Sequence, residues 1–261
     1  MEIVHYKFLY IAAIFCIGLL SGLVPTFTAT TDRHDRFFSL GNALGGGVFL
    51  GAGLIHLLPD AIDNYSGVLG ANWDYPLAPL ICGAGFLLVL LIEKVIVGGD
   101  EDKLVSVSGK TDNALYPYVL ALVLSVHSFI AGMALGAESH LATSLALFLA
   151  VIAHKGVAAF ALGVGFKRGG VQRSQAIGII TLFSMMTPLG VLCGAIVSGY
   201  LSGNAARWFE GTFDALAAGT FLYVAIADIA QGEFSKSRDL ALKFAMMLIG
   251  LAIMALVAVW T

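Results

Sequence analysis

Residues 115–136 read LYPYVLALVLSVHSFIAGMALG, and residues 141–165 read LATSLALFLAVIAHKGVAAFALGVG. Each is long and apolar enough to cross the ~30 Å hydrocarbon core of a bilayer as a helix. Their apolar positions do not alternate, which excludes barrel strands. A loop of only a few residues joins them, so the two helices are antiparallel neighbours. His127 and His154 sit near the middle of each run. At a rise of 1.5 Å per residue, His127 lies roughly 14–16 Å from the two ends of its span and His154 roughly 16–20 Å, so both are near the midplane.

The pattern repeats along the chain. Eight stretches qualify as spans: 5–28, 37–61, 77–97, 115–136, 141–165, 174–200, 211–231 and 239–260. Turn and charge signals separate them, as in Asp32-Arg33-His34-Asp35-Arg36, Gly98-Gly99-Asp100-Glu101-Asp102 and Lys167-Arg168-Gly169-Gly170. The composition agrees. Apolar residues make up 59% of the 261 and charged residues 12%, and mean hydropathy is +0.90. A soluble domain carries roughly 45–50% apolar and about 25% charged residues. A soluble enzyme, a disulfide scaffold and a disordered chain are excluded, and a net charge of −3 offers nucleic acid no basic footprint. The expectation is one all-α integral membrane domain over residues 1–261.

The cations predict sidedness. Eleven of the 14 Lys and Arg fall in or beside the loops after spans one, three, five and seven. They are Arg33, Arg36, Lys94, Lys103, Lys110, Lys167, Arg168, Arg173, Lys236, Arg238 and Lys243. Cytoplasmic loops collect such residues, so both termini are expected outside. The outer face carries acids instead: Asp60, Asp63, Asp74, Glu138, Glu210 and Asp214. Spans one to three and six to eight then have opposite topology around spans four and five. That 3+2+3 order is the layout of an inverted-repeat transporter with its site on the central helices. Gly18/Gly22, Gly47/Gly51, Gly132/Gly136 and Gly190/Gly194 predict close helix packing. Cys16, Cys82 and Cys193 lie in apolar spans without CxxC spacing and read as small buried hydrophobes. The start Met1-Glu2 lacks the basic region of a signal peptide.

A charged group at membrane depth costs at least ~2.5–3.5 kcal/mol, so each one is a functional candidate. Imidazole suits zinc, iron, nickel and copper, and two histidines at one depth on adjacent helices can share an ion. Lys155 follows His154 about 100° round the helix. It is too deep to snorkel, and it reads as an internal ammonium standing where a second cation would otherwise bind. His56 and Asp60 share one helix face at the outer end of span two. They are either a first docking point for a cation or a helix-end ion pair. Asp228, Asp214 and Glu210 in span seven are exit, gate or interfacial charges, and Glu233 reads as an ordinary loop charge. Ser184 and Thr187-Pro188 mark a kink or a cavity lining in span six. No phosphate loop and no HExxH or paired-Asp protease motif is present, so neither an ATP-driven pump nor an enzyme is expected, and no cofactor.

At these residues the chain resembles the ZIP (Zrt/Irt-like protein) family of divalent metal transporters. The likeness is carried by His56-Leu57-Leu58-Pro59-Asp60, by His127-Ser128-Phe129-Ile130-Ala131-Gly132, by His154-Lys155-Gly156, and by Ser184 to Gly190 with Glu210 to Tyr223. It leans toward the zinc-importer branch of animals. The resemblance implies a transport site at His127, Ser128, His154 and Lys155, import into the cytoplasm, elevator-like sliding and a homodimer. The metal candidates are therefore His127, His154, Ser128, His56, Asp60, Lys155, Asp228 and Glu210. One departure matters: the family's usual span-four carboxylate position holds Ala131. That leaves two imidazoles, Ser128 and water, with His56 or Asp60 as further donors, and predicts one softer site.

Zinc is the expected cargo, with iron, nickel, copper and cadmium as alternatives. The membrane expected is the plasma membrane or a bacterial inner membrane. Two alternative readings are a same-fold carrier of a non-metal solute with proton coupling, and a non-transporting membrane sensor.

Overall fold

The computed structural model describes residues 2–28, 31–70, 74–97, 116–138, 140–197, 203–235 and 238–259. The expected loop 98–114, with Lys103 and Lys110, and Lys236 lie outside them. Eight helices long and apolar enough to cross a membrane are present, and no strand occurs among the described residues. We name them α1 (Glu2–Phe27), α2 (Asp32–Gly51, Ala52–Leu57, Leu58–Leu69) and α3 (Leu77–Leu90, Leu91–Val97). Next come α4 (Tyr116–Ala137), α5 (Leu141–Arg168) and α6 (Arg173–Val197). Last are α7 (Asn204–Tyr223, Val224–Ala230, Gln231–Phe234) and α8 (Leu240–Val257).

Several helices run past the expected spans. α2 continues to Leu69, and α7 continues to Phe234 and so takes in Glu233, which the sequence reading left in a loop. α2, α3 and α7 each widen into a π segment: Ala52–Leu57, Leu91–Val97 and Val224–Ala230. In α2 the cause is local. Pro59 has no N–H to give the preceding turn, and the helix widens just before it.

The helices pack as two groups of four. α1, α4, α5 and α6 form one; α2, α3, α7 and α8 form the other. Consecutive triplets do not pack as units: each gives its first helix to one group and its other two to the second. Inside each group, glycines let backbones touch. A Cβ on Gly132 would stand 2.3 Å from Thr187 O, and one on Gly190 would stand 2.1 Å from Phe129 O. The same holds for Gly163 against Gly22 O (2.2 Å), Gly47 against Met247 O (1.9 Å) and Gly219 against Cys82 O (1.9 Å). Between the groups the contact differs. Gly41 and Gly45 of α2 face the Phe160 and Val157 side chains of α5.

The outer belt is apolar. Leu87, Val95, Leu122, Ile196 and Leu256 are all exposed. α8 buries only 17% of its most apolar window. Hydrocarbon solvates such a surface, and helices satisfy their own backbone polar groups there. Cys16, expected inside, is exposed on this belt, whereas Cys82 is buried.

Candidate functional site

His127 of α4 and His154 of α5 meet between the two groups. Their ring centroids lie 5.6 Å apart, inclined by 52°. Two imidazoles sharing one tetrahedral zinc at ~2.0–2.1 Å from each nitrogen place their ring centres roughly 5 Å apart. Both residues are buried, at 5% and 4% exposure. His127 Nε2 and His154 Nδ1 have no hydrogen-bond partner. Buried polar atoms are nearly always satisfied, so each ring keeps a nitrogen with capacity for a further partner.

A cavity of about 400 Å³ opens onto this pair from the end carrying Glu138 and Glu210. His56, Asp60, His127, His154 and Glu210 all line it, so five of the eight sequence candidates converge. His56 Nδ1 lies 3.0 Å from Asp60 Oδ2, within ion-pair reach but not aligned as a hydrogen bond. Asn64, Glu138 and Asp214 also line the cavity. Among the described residues no three His, Cys, Asp or Glu side chains cluster closely enough to hold a metal unaided. The geometry therefore offers two nitrogens, with water or a moving carboxylate to complete a shell.

The other three candidates lie elsewhere. Lys155 is 1% exposed and donates to Ser128 Oγ and Phe183 O, both at 3.0 Å. Its Nζ also sits 3.6 Å over the Phe183 ring. The ammonium thus lies between α4 and α6, outside the lining of the histidine cavity. Ser128 is occupied as its acceptor. Asp228 lies at the opposite end.

There, a second cavity of about 280 Å³ is lined by Asn42, Glu93, Leu120, Ala161, Arg168, Val224, Asp228 and Glu233, among others. Between the cavities lies a packed plug. On α4, His127 reaches one cavity and Leu120 the other, with Leu124 buried between them. On α5 the order is His154, Ala158, Ala161; on α7 it is Asp214, Phe221, Val224; on α2 it is His56, Phe49, Asn42. Phe49 and Phe221 meet edge to face at 5.1 Å, and Phe221 touches the His127 ring at 4.6 Å. Leu124, Ala158, Phe49 and Phe221 belong to one buried cluster.

Glu93 and Asn42 escaped the sequence reading. The signal for Glu93 was present, since it is a carboxylate inside span three. It is 6% exposed, and its Oε1 takes a 2.6 Å ion pair from Lys94. His56, Glu93 and Asp228 all sit in the three π segments. Such segments recur at functional sites, because the wider turn re-aims side chains.

The profile of the ZIP Zinc transporter family matches residues 4–102 and 98–258. The chain is 30% identical to "Zinc transporter ZIP2" of Mus musculus, over 95% of this chain and 96% of that protein. It is 29% identical to "Zinc transporter ZIP2" of Homo sapiens over the same shares. It is 31% identical to "Zinc transporter ZIP1" of Homo sapiens, over 85% of this chain and 78% of the relative. Eight membrane-length helices and a match along nearly the whole sequence lead to one conclusion: the chain belongs to the ZIP zinc transporter family and is a multi-pass membrane protein.

Proposed function

We propose that this chain imports zinc into the cytoplasm across the plasma membrane or a bacterial inner membrane, through a midplane site at His127 and His154. What carries the reading is the pair of cavities, which enter from opposite ends and stop at one plug, with the two orphaned imidazoles at the floor of the acid-rimmed cavity. A carrier alternates access by closing one cavity and opening the other. Asp60, Glu138 and Glu210 give the outer mouth an anionic rim that concentrates cations.

The motion we assign is a slide of α1, α4, α5 and α6 against α2, α3, α7 and α8. Backbone-to-backbone glycine contacts lock each group internally, while side chains meet between groups. The first kind resists shear and the second permits it. Both His127 and His154 ride on one group, so the ion travels with it.

The deciding experiment is zinc uptake into vesicles reconstituted with the purified chain. Uptake must exceed leak and saturate with zinc, and a flat trace at every concentration would sink the proposal. The lysine geometry weakens the alternative solute reading, because the ammonium that would bind an anion lies between α4 and α6.

Position 131 gives a sharper expectation. Ala131 lines the histidine cavity one turn from His127. Ala131→Glu adds a carboxylate where a third ligand belongs. Calorimetry should read zinc affinity about tenfold tighter, the size of one charge-assisted contact of about 1.5 kcal/mol. Equal or weaker affinity would place the ion away from residue 131.

Orientation is tested separately. A cysteine at Ser106 should react with an impermeant thiol reagent from the cytoplasmic side alone. Reaction from outside would invert the assigned direction.

A further inference from the structure

Arg168 ends α5, the helix that carries His154, and about 21 Å of helix separates the two residues. Its Nη1 donates to Glu233 Oε1 at 2.7 Å. Glu233 lies in the last turn of α7, beyond the Phe221 plug. This pair therefore joins the two helix groups at the inner end. The Arg36–Asp239 and Lys243–Glu233 pairs stay within the second group.

The two partners are held very differently. Glu233 is 1% exposed and fixed from its own group. Ser39 and Asn42 of α2 both donate to its carboxylate, and Lys243 Nζ of α8 stands 3.7 Å away. Lys243 also donates to the Glu233 backbone carbonyl at 2.6 Å. Arg168 has a side chain 41% exposed and borders the inner cavity. It is the partner free to leave into water.

Removing one member of a buried pair is severe when the other is left as a lone charge. Here Glu233 keeps Lys243, Ser39 and Asn42 after Arg168 withdraws. The pair is thus built to be broken and remade at low cost. A contact fixed on one group and releasable on the other is what a sliding carrier needs to hold one state without trapping it.

We propose that Arg168 is a positioning residue: it latches the helix group bearing His127 and His154 to Glu233, and so sets the balance between outward-open and inward-open states. The inference rests on the alternating-access reading above. Without the latch, the state seen here loses one charge-assisted hydrogen bond, and the other state gains population about tenfold.

The test needs no metal. Cys16, Cys82 and Cys193 are replaced by alanine, and one reporter is introduced at a time. Ala134→Cys reports the outer cavity and Ala158→Cys, in the plug one turn from His154, the opening of the inner path. Ala158 is buried here, so a reagent on the inner side reaches this reporter only when the inner path opens. In Arg168→Gln, an impermeant thiol reagent should modify the inner reporter faster and the outer one slower, with the ratio of the two rates shifted about tenfold. Arg168→Lys, which restores the charge, should return both rates toward the parent. Arg168→Met keeps the packed stem without the charge and leaves the Glu233–Lys243 pair intact; it should repeat the opposed shift, and it decides the matter if Arg168→Gln does not fold. Unmoved rates would overturn the latch. So would rates that rise together, which signal general loosening. A shifted ratio without zinc flux would refute the cargo and keep the latch.

Discussion

Zinc uptake should fall to the vesicle leak in His127→Ala and in His154→Ala alike. Each substitution removes one of two nitrogens. No cluster of three or more His, Cys, Asp or Glu side chains among the described residues stands ready to replace it. Loss of a group merely supporting a ligand costs ~10–100-fold in metal affinity. Loss of a ligand itself therefore costs at least about 100-fold, or ~2.7 kcal/mol. The fold should survive. His127 Nε2 and His154 Nδ1 have no hydrogen-bond partner, so removing either ring strands few polar groups. The readout that separates binding from folding is the melting temperature with and without zinc. The parent should gain stability with zinc, because an ion bound only by the folded state stabilises it. Either variant should melt near the parent without zinc and gain nothing when zinc is added. Parent-like flux in both variants would remove the site from these residues.

The histidine pair was legible because two one-dimensional facts fix it: depth along each span, and the short loop that makes α4 and α5 neighbours. Spans were legible for a similar reason, since length and apolarity are properties of a single segment. What a side chain faces depends on which helix lies beside it. Lys155 shows this. The sequence places it about 100° from His154, but not that α6 fills that direction and offers Phe183 O. Glu233 shows the same at a helix end. Its partners Ser39, Asn42, Arg168 and Lys243 come from three other helices, so a charge that looks solvated in sequence is 1% exposed in the fold.

The division into two groups was hidden for a further reason. The 3+2+3 order is a statement about chain direction, whereas packing is decided by which faces allow close approach. The spacing of Gly132/Gly136 and Gly190/Gly194 predicts close packing but does not say which helix each pair meets. Only their placement against Thr187, Val191, Phe129 and Met133 carbonyls does.

That placement puts Gly190→Ala, with Gly47→Ala and Gly219→Ala, among the most damaging single methyls we expect outside the proposed metal site. A Cβ on Gly190 would stand 2.1 Å from Phe129 O and 3.0 Å from Gly132 Cα. Both obstacles are backbone, so no rotamer change relieves them, and α4 must move away from α6. Overpacking costs typically ~1–3 kcal/mol, occasionally more. A clash with backbone belongs at the upper end, about 3 kcal/mol, and should lower the melting temperature of the purified protein by several degrees. Because α4 carries His127, the same displacement also moves one imidazole relative to the other, so zinc affinity should fall with stability. Gly83 and Gly178 supply the controls. A Cβ on either meets nothing within 4 Å, and alanine there should be neutral or stabilise by up to ~1 kcal/mol through helix propensity. If Gly190→Ala melts like Gly178→Ala, the α4–α6 seam is not tight. The rigid group on which the carrier proposal depends would then lose its physical basis.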